Sequence, residues 1–189
     1  MALVKSQLDS HFLFNTINNI DVLIIKNAEE ASDYLNKLSD IMRFMLFETK
    51  TEEIDLNKEI EYIEKYIELQ KIRTSNSNYI NYSVAGTPKD RSIAPMIFIP
   101  FIENAFKHTT NKKLKNAIDI TIMIGQNFVR LECINKIDPN RKLTQESNGL
   151  GNELIKKRLN LIYPEQHNLE VSNQNNVYSV FLTIYHGKV

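Results

Sequence analysis

From Val4 to Tyr66 the chain contains neither proline nor glycine. Those residues are the strongest punctuators of helices, so a long stretch without them that repeats apolar residues every three or four positions is committed to helix. Leu13, Ile17, Ile20 and Ile24 mark a first apolar face. Asn27 offers a break, and Ala28-Glu29-Glu30 forms an acidic first turn suited to the positive end of a helix dipole. Leu35, Leu38, Ile41, Met42, Met45 and Leu46 mark a second helix. Asp55 is an N-cap for a third, which runs to about Arg73 and carries Ile60, Tyr62, Ile63, Tyr66 and Ile67.

The pattern changes at Ser75-Asn76-Ser77-Asn78. Strands are expected at Tyr79–Ala85, Ala117–Ile124, Phe128–Ile134, Leu169–Val171 and Tyr178–Tyr185. Pro95 and Pro100 flank the entry to an apolar helix reaching His108, and a last helix follows Asn148-Gly149-Leu150-Gly151 and ends before Pro164. The fold class is α+β: a helical front followed by an α/β sandwich with a mixed sheet. A lone helical hairpin has little core, so a second copy pairing with it into a four-helix bundle is the economical arrangement.

Charge separates the two parts. The total of 23 basic and 23 acidic side chains cancels, but residues 1–75 carry 9 basic and 14 acidic groups, and the remainder carries 14 and 9. A neutral total argues against a general nucleic-acid binder. The single cysteine, Cys133, excludes an intrachain disulfide and a cysteine-built metal site. The longest apolar run, Pro95 to Ile102, is too short to span a membrane. The N-terminus enters a helical pattern without preamble, as expected of a piece of a longer protein.

Three clusters carry chemistry. His11 lies early in the first helix with Gln7, Asn15 and Asn18 at helical spacing, forming a polar stripe on its side. It reads either as a surface histidine or as an imidazole competent to attack phosphorus. Glu103, Asn104, Lys107 and His108 end the apolar helix: Asn104 offers a carbonyl oxygen to Mg²⁺ and the two cations suit phosphate, or else the helix is simply reaching solvent. Gly149 and Gly151 precede the last helix as a backbone N–H cradle for phosphate, or as a plain turn. They form neither a dinucleotide fingerprint nor a P-loop.

Together the segments resemble one family. Gln7-Leu8-Asp9-Ser10-His11-Phe12-Leu13-Phe14-Asn15-Thr16-Ile17-Asn18 resembles the histidine box of the LytS/YehU-type sensor histidine kinases. The Asp55–Arg73 helix, with Glu59, Tyr66, Gln70 and Arg73, is similar to the family's next segment. Pro100–His108 resembles its N-box, and Gly149-Leu150-Gly151 with Arg158-Leu159 resembles its glycine box.

The resemblance implies a dimerisation and phosphotransfer hairpin over residues 1–54 and a GHKL (Bergerat) ATP-binding domain over 55–189. His11 would accept phosphate with Asn15 as its helix neighbour, and Asn104 would hold Mg²⁺. Glu103, Lys107, His108, Asn135, Gly149 and Gly151 would bind ATP. Asn135 stands in the segment where the family reads adenine with an aspartate, and Ser10 replaces the family's proline. Implied partners are a second copy through the N-terminal helices and a response regulator, of the LytTR type, with no direct nucleic-acid contact. The fragment would be cytoplasmic, its parent reaching the membrane through upstream segments. The alternative is a dimeric pseudokinase scaffold that no longer binds ATP tightly.

Overall fold

The computed structural model describes residues 10–72, 74, 76, 78–109, 111, 114–137 and 146–186. Helices α1 (Ser10–Lys26) and α2 (Ala28–Phe47) are separated by Asn27 alone. Asn27 leaves helical geometry at φ −155°, and its side-chain oxygen accepts from the Glu30 backbone N–H while its amide donates to the Glu30 carboxylate. That reciprocal cap starts α2. A short 3₁₀ turn (Glu48–Lys50) and strand β1 (Ile54–Asp55) lead to α3 (Leu56–Lys71), whose N-cap Asp55 accepts from the Asn57 N–H at 2.7 Å.

Helix α3 shows that α1 and α2 fold back on one another. Tyr66 stacks on Phe12 of α1 at 4.8 Å, and its neighbour Lys65 pairs with Asp40 of α2 at 2.8 Å. Phe12 and Asp40 therefore stand at one level on either side of Asn27. Further pairs follow in antiparallel order along α2 and α3: Lys37 with Glu68, the Phe44 and Tyr62 rings at 4.4 Å, and Lys58 with Glu48 at 3.0 Å.

The expected apolar faces of the hairpin need correction. The side of α1 turned to α3 carries Phe12, Thr16 and Ile20, whereas Ile17 and Ile24 are exposed. Likewise Leu38 and Ile41 are buried in α2, but Leu35, Met42 and Leu46 are not. Both helices are apolar over more than one face, and α3 covers only one of them.

Strands β2 (Ile80–Ala85), β4 (Ile118–Ile124), β5 (Phe128–Lys136), β6 (His167–Gln174) and β7 (Val177–Tyr185) form a sheet in the order β2-β4-β5-β7-β6. Only β2 and β4 run parallel, so the sheet is mixed. Strand β3 (Ser92–Ile93) pairs with β1. Period-two alternation puts Ile118, Ile120 and Ile122 with Val129, Leu131 and Cys133 on one buried face, continued in register by Val180, Leu182 and Ile184. Helix α4 (Ile99–His108) packs on β4 and β5 on that side, where the Cys133 thiol donates to the Phe101 carbonyl. The opposite face carries Asp119, Thr121, Arg130, Glu132 and Thr183, with Arg130 donating to Thr183 at 2.9 Å. The result is a two-layer α/β sandwich.

Two turns follow from their residues. Gly86 takes φ +99°, and a Cβ there would stand 2.2 Å from the Ile124 carbonyl oxygen, so the turn after β2 requires glycine. Asn175 and Asn176 both take positive φ, at 53° and 60°, and close the β6–β7 hairpin as a two-residue turn. That turn is tighter, and β6 longer, than the polar run Asn173–Asn176 suggests.

Helix α5 (Glu146–Ile162) holds the main departure from expectation. Gly149 and Gly151 fall inside its first turns rather than in a loop before it. The helical spacing of Leu150, Leu154, Ile155 and Leu159 extends back across them, and glycine costs a helix only about 1 kcal/mol against alanine.

Candidate functional site around helix α4

Helix α4 is divided lengthwise. Ile99, Phe101, Ile102 and Ala105 are buried, while Glu103, Asn104 and His108 are half-buried and Lys107 is exposed. The four polar residues lie at i, i+1, i+4 and i+5, so they share one side of the helix. This is the grouping expected from the sequence. Lys107 and His108, in the last turn, also stand at the negative end of the helix dipole.

Asn135 lies on the same side of the sheet as α4. It occupies a row with Ile118 and Tyr178, on the face otherwise filled by apolar side chains. It is 1% exposed, and among the described residues its Nδ2 finds no hydrogen-bond partner. A buried amide that lacks a partner is set up to receive one. An Asn offers a donor and an acceptor together, which matches the edge of a purine base. The residues present therefore fit a nucleotide. No group of three His, Cys, Asp or Glu side chains stands together among the described residues. A metal here would be held by Asn104 and by phosphate oxygens, the usual situation of Mg²⁺ on a nucleotide.

The start of α4 is fixed by a network that the sequence reading overlooked. The turn Ala94–Phe98 holds Met96 at φ +56°. Side chains from α3 and α5 satisfy its backbone. Glu59 of α3, fully buried, accepts from the N–H groups of Met96 at 2.8 Å, Ile97 at 3.1 Å and Phe98 at 3.5 Å. Arg158 of α5 donates to the carbonyls of Pro95 at 2.6 Å and Met96 at 3.0 Å. The Tyr163 hydroxyl accepts from the Ala94 N–H at 2.7 Å. One signal for this was visible: Glu59 is a charge on the buried face of α3, between Leu56 and Ile63.

Burial pushes the Glu59 carboxyl up to about 7, against the opposing pull of the three N–H donors and of Arg158. Burial likewise lowers Arg158, while Glu59 holds it up. A carboxyl raised from 4.5 to about 7 on folding binds more protons in the native state across that interval. Its stabilising contribution is therefore complete below about pH 4.5 and is lost as pH rises to about 7, with a slope of at most ~1.4 kcal/mol per pH unit. Glu59→Gln is expected to remove this slope. Thermal melts of both chains between pH 4.5 and 8 check it, and parallel profiles would contradict it.

The remaining site residues stand as follows. His11 lies in the first turn of α1, and its side chain is outside the described residues, as are those of Gly149, Gly151 and their neighbours 146–152. Asn15 is half-exposed on α1. Gln7 lies outside the described residues. The structure thus brings Glu103, Asn104, Lys107 and His108 together on α4, with Asn135 on the sheet face that α4 covers.

Residues 1–78 match the family model described as histidine kinase. The chain is 33% identical over 137 residues to the sensor protein kinase HptS of Staphylococcus aureus, a match covering 71% of this chain and 26% of that protein. The chain thus spans about a quarter of the length of the curated relatives it matches. Among solved structures, the Acinetobacter baumannii histidine kinase AdeS covers 94% of this chain and 96% of its own at 13% identity, with a TM-score of 0.49. The catalytic domain of histidine kinase ThkA covers 70% and 93% at 20% identity, with a TM-score of 0.48. With its histidine box inside the segment that matches the histidine kinase model and its N-box on α4, the chain is homologous to sensor histidine kinases, and its motifs resemble those of the LytS/YehU type.

Proposed function

We propose that this chain is the catalytic core of a two-component sensor histidine kinase. It transfers the γ-phosphoryl group of Mg-ATP to His11 and passes it on to an aspartate of a response regulator, of the LytTR type. The observation that carries this reading is the polar side of α4, facing outward from an otherwise buried helix beside the sheet face that holds the unpartnered Asn135. Asn104 would take Mg²⁺, which neutralises phosphate charge, while Lys107 and His108 meet phosphate oxygens and Glu103 borders them. Gly149 and Gly151 would let the backbone of the α5 segment approach the phosphates. In-line phosphoryl transfer asks for positioning and charge neutralisation rather than covalent help, which suits a rigid helix bearing His11 with Asn15 beside it.

A second copy is the expected partner of the hairpin. Phe14, Ile17, Ile25, Leu35, Met42 and Leu46 are exposed, Ile25 to 90%, and pairing two hairpins would cover them. No helix among the described residues is long and apolar enough to cross a membrane. The sensing and membrane-bound parts belong to a longer parent, and this segment acts on its cytoplasmic side.

The reading is tested by incubating the chain with γ-labelled ATP and Mg²⁺. Acid-labile, base-stable label absent from His11→Gln supports it, and label that persists in His11→Gln overturns it. Absence of both label and nucleotide binding favours the pseudokinase scaffold, the reading that Asn135 in place of a carboxylate supports. Asn135→Asp gives a second check. A charged acceptor bonds an amino group more strongly than a neutral amide does by about 1 kcal/mol, so ATP should bind about fivefold more tightly. Calorimetric titration measures this, and weaker binding would remove Asn135 from the site.

A further inference from the structure

The contacts that join α1 to α4 bear on which chain's ATP reaches His11. Phe12, the residue after His11, packs on Tyr66 with ring centroids 4.8 Å apart, and Tyr66 also meets Phe106 in an edge arrangement at 5.9 Å. Phe106 immediately precedes Lys107 and His108. A single buried tyrosine ring therefore links the start of the histidine helix to the C-terminal turn of α4 in the same chain. Tyr66 is held in place, its hydroxyl accepting from the Gln70 side chain at 2.8 Å. One turn earlier Tyr62 grips Phe44 of α2, so the same helix holds both arms of the hairpin.

The outward face of α1 is on the other side. Phe12, Thr16 and Ile20 turn toward α3, while Phe14, Ile17 and Ile25 turn away from it. A partner hairpin seated on that exposed face would leave the Phe12–Tyr66–Phe106 contact within each chain in place.

We infer that phosphoryl transfer to His11 runs within one chain, with Tyr66 as the positioning residue that docks α4 beside the histidine helix; this rests on the kinase reading above. In that step a lone pair on an imidazole nitrogen of His11 forms the new N–P bond. The β,γ-bridging oxygen keeps the electron pair of the broken P–O bond and leaves with ADP, and the remaining ring proton passes to water. The reacting atoms must close to roughly 3–3.5 Å, a shift of the hairpin over α3 rather than an exchange of domains between chains.

The test uses two inactive variants of the whole chain, His11→Gln and Asn104→Ala, exchanged into hetero-dimers and isolated through two different tags. Transfer within a chain predicts no label, because neither chain holds both an acceptor and a working site. Label on the order of half the wild-type amount, from the one complementary site of a two-fold dimer, overturns the inference. For a chain that stays monomeric, labelling first-order in protein supports it and second-order labelling overturns it. An unlabelled wild type instead fells the kinase reading, and this inference with it.

Tyr66 itself is tested by a split of constants. Tyr66→Leu is expected to leave the KM for ATP within twofold and to lower kcat by on the order of a hundredfold, while Tyr66→Phe keeps the ring and restores most of the rate. An unchanged kcat in Tyr66→Leu, or equal losses in ATP binding and rate, contradicts the positioning role.

Discussion

Glu59→Ala is expected to lower the stability of the chain by about 3–5 kcal/mol, because several buried backbone donors lose their acceptor at about 1–3 kcal/mol each. The Glu59 carboxyl group, on a side chain that is 0% exposed, is the acceptor for three consecutive backbone N–H groups. Removing it strands those donors and leaves Arg158 without its opposing charge. For a chain of this length the loss corresponds to a fall in Tm of roughly 10 °C. The damage is also local: the Ala94–Phe98 turn starts α4, so nucleotide binding should weaken even below the melting range. A thermal melt with a parallel ATP titration measures both. A Tm within 2 °C of wild type would mean that water or another side chain replaces the carboxylate without cost.

Asn104→Ala has the opposite profile. Asn104 is half-buried on the polar side of α4, so stability should change by no more than about 0.5 kcal/mol. If its carbonyl holds the metal ion that neutralises the transferring phosphoryl group, the labelling rate should fall by on the order of 10²–10³-fold, as when a preorganised electrostatic contact is deleted. Melting temperature and initial labelling rate, measured on one preparation, separate the two effects. A parallel loss of stability and rate would make Asn104 a structural residue.

These two residues differ in how visible they were in the sequence. Asn104 was legible because it is a polar residue ending an apolar helix, within a segment resembling a known motif. Glu59 lay in an equally recognisable segment, yet its partners are backbone groups of residues 96–98, distant in sequence and carrying no side-chain signal. The partners of Arg158 are hidden for the same reason, being the carbonyls of Pro95 and Met96. Helices and strands were legible because their periods were clear. The burial of the hairpin was not: α1 and α2 are apolar on more than one side, and periodicity does not say which side a third helix will cover. The two glycines of α5 were read as a loop because glycine usually interrupts helices, whereas here the surrounding apolar spacing carries the helix through them.

Ion pairs within the acidic part of the chain join α3 to the segment Lys37–Glu48. Lys58–Glu48 and Lys65–Asp40, at 3.0 and 2.8 Å, are partly exposed and each worth at most about 1 kcal/mol. The aromatic contacts of Tyr62 and Tyr66 with the hairpin contribute comparably per pair and are insensitive to salt. Rings as well as ion pairs thus tie the hairpin to α3.

The most direct measurement is the location of the phosphoryl group after incubation with Mg-ATP. Fragmentation mass spectrometry of the chain, digested at neutral to alkaline pH to preserve an N–P bond, reads that position. The account predicts one phosphoryl group, on His11, removed by brief acid treatment and absent from Asn104→Ala. A stable phosphate on Ser10 or Thr16, or on a histidine of the sheet domain such as His108, would contradict it.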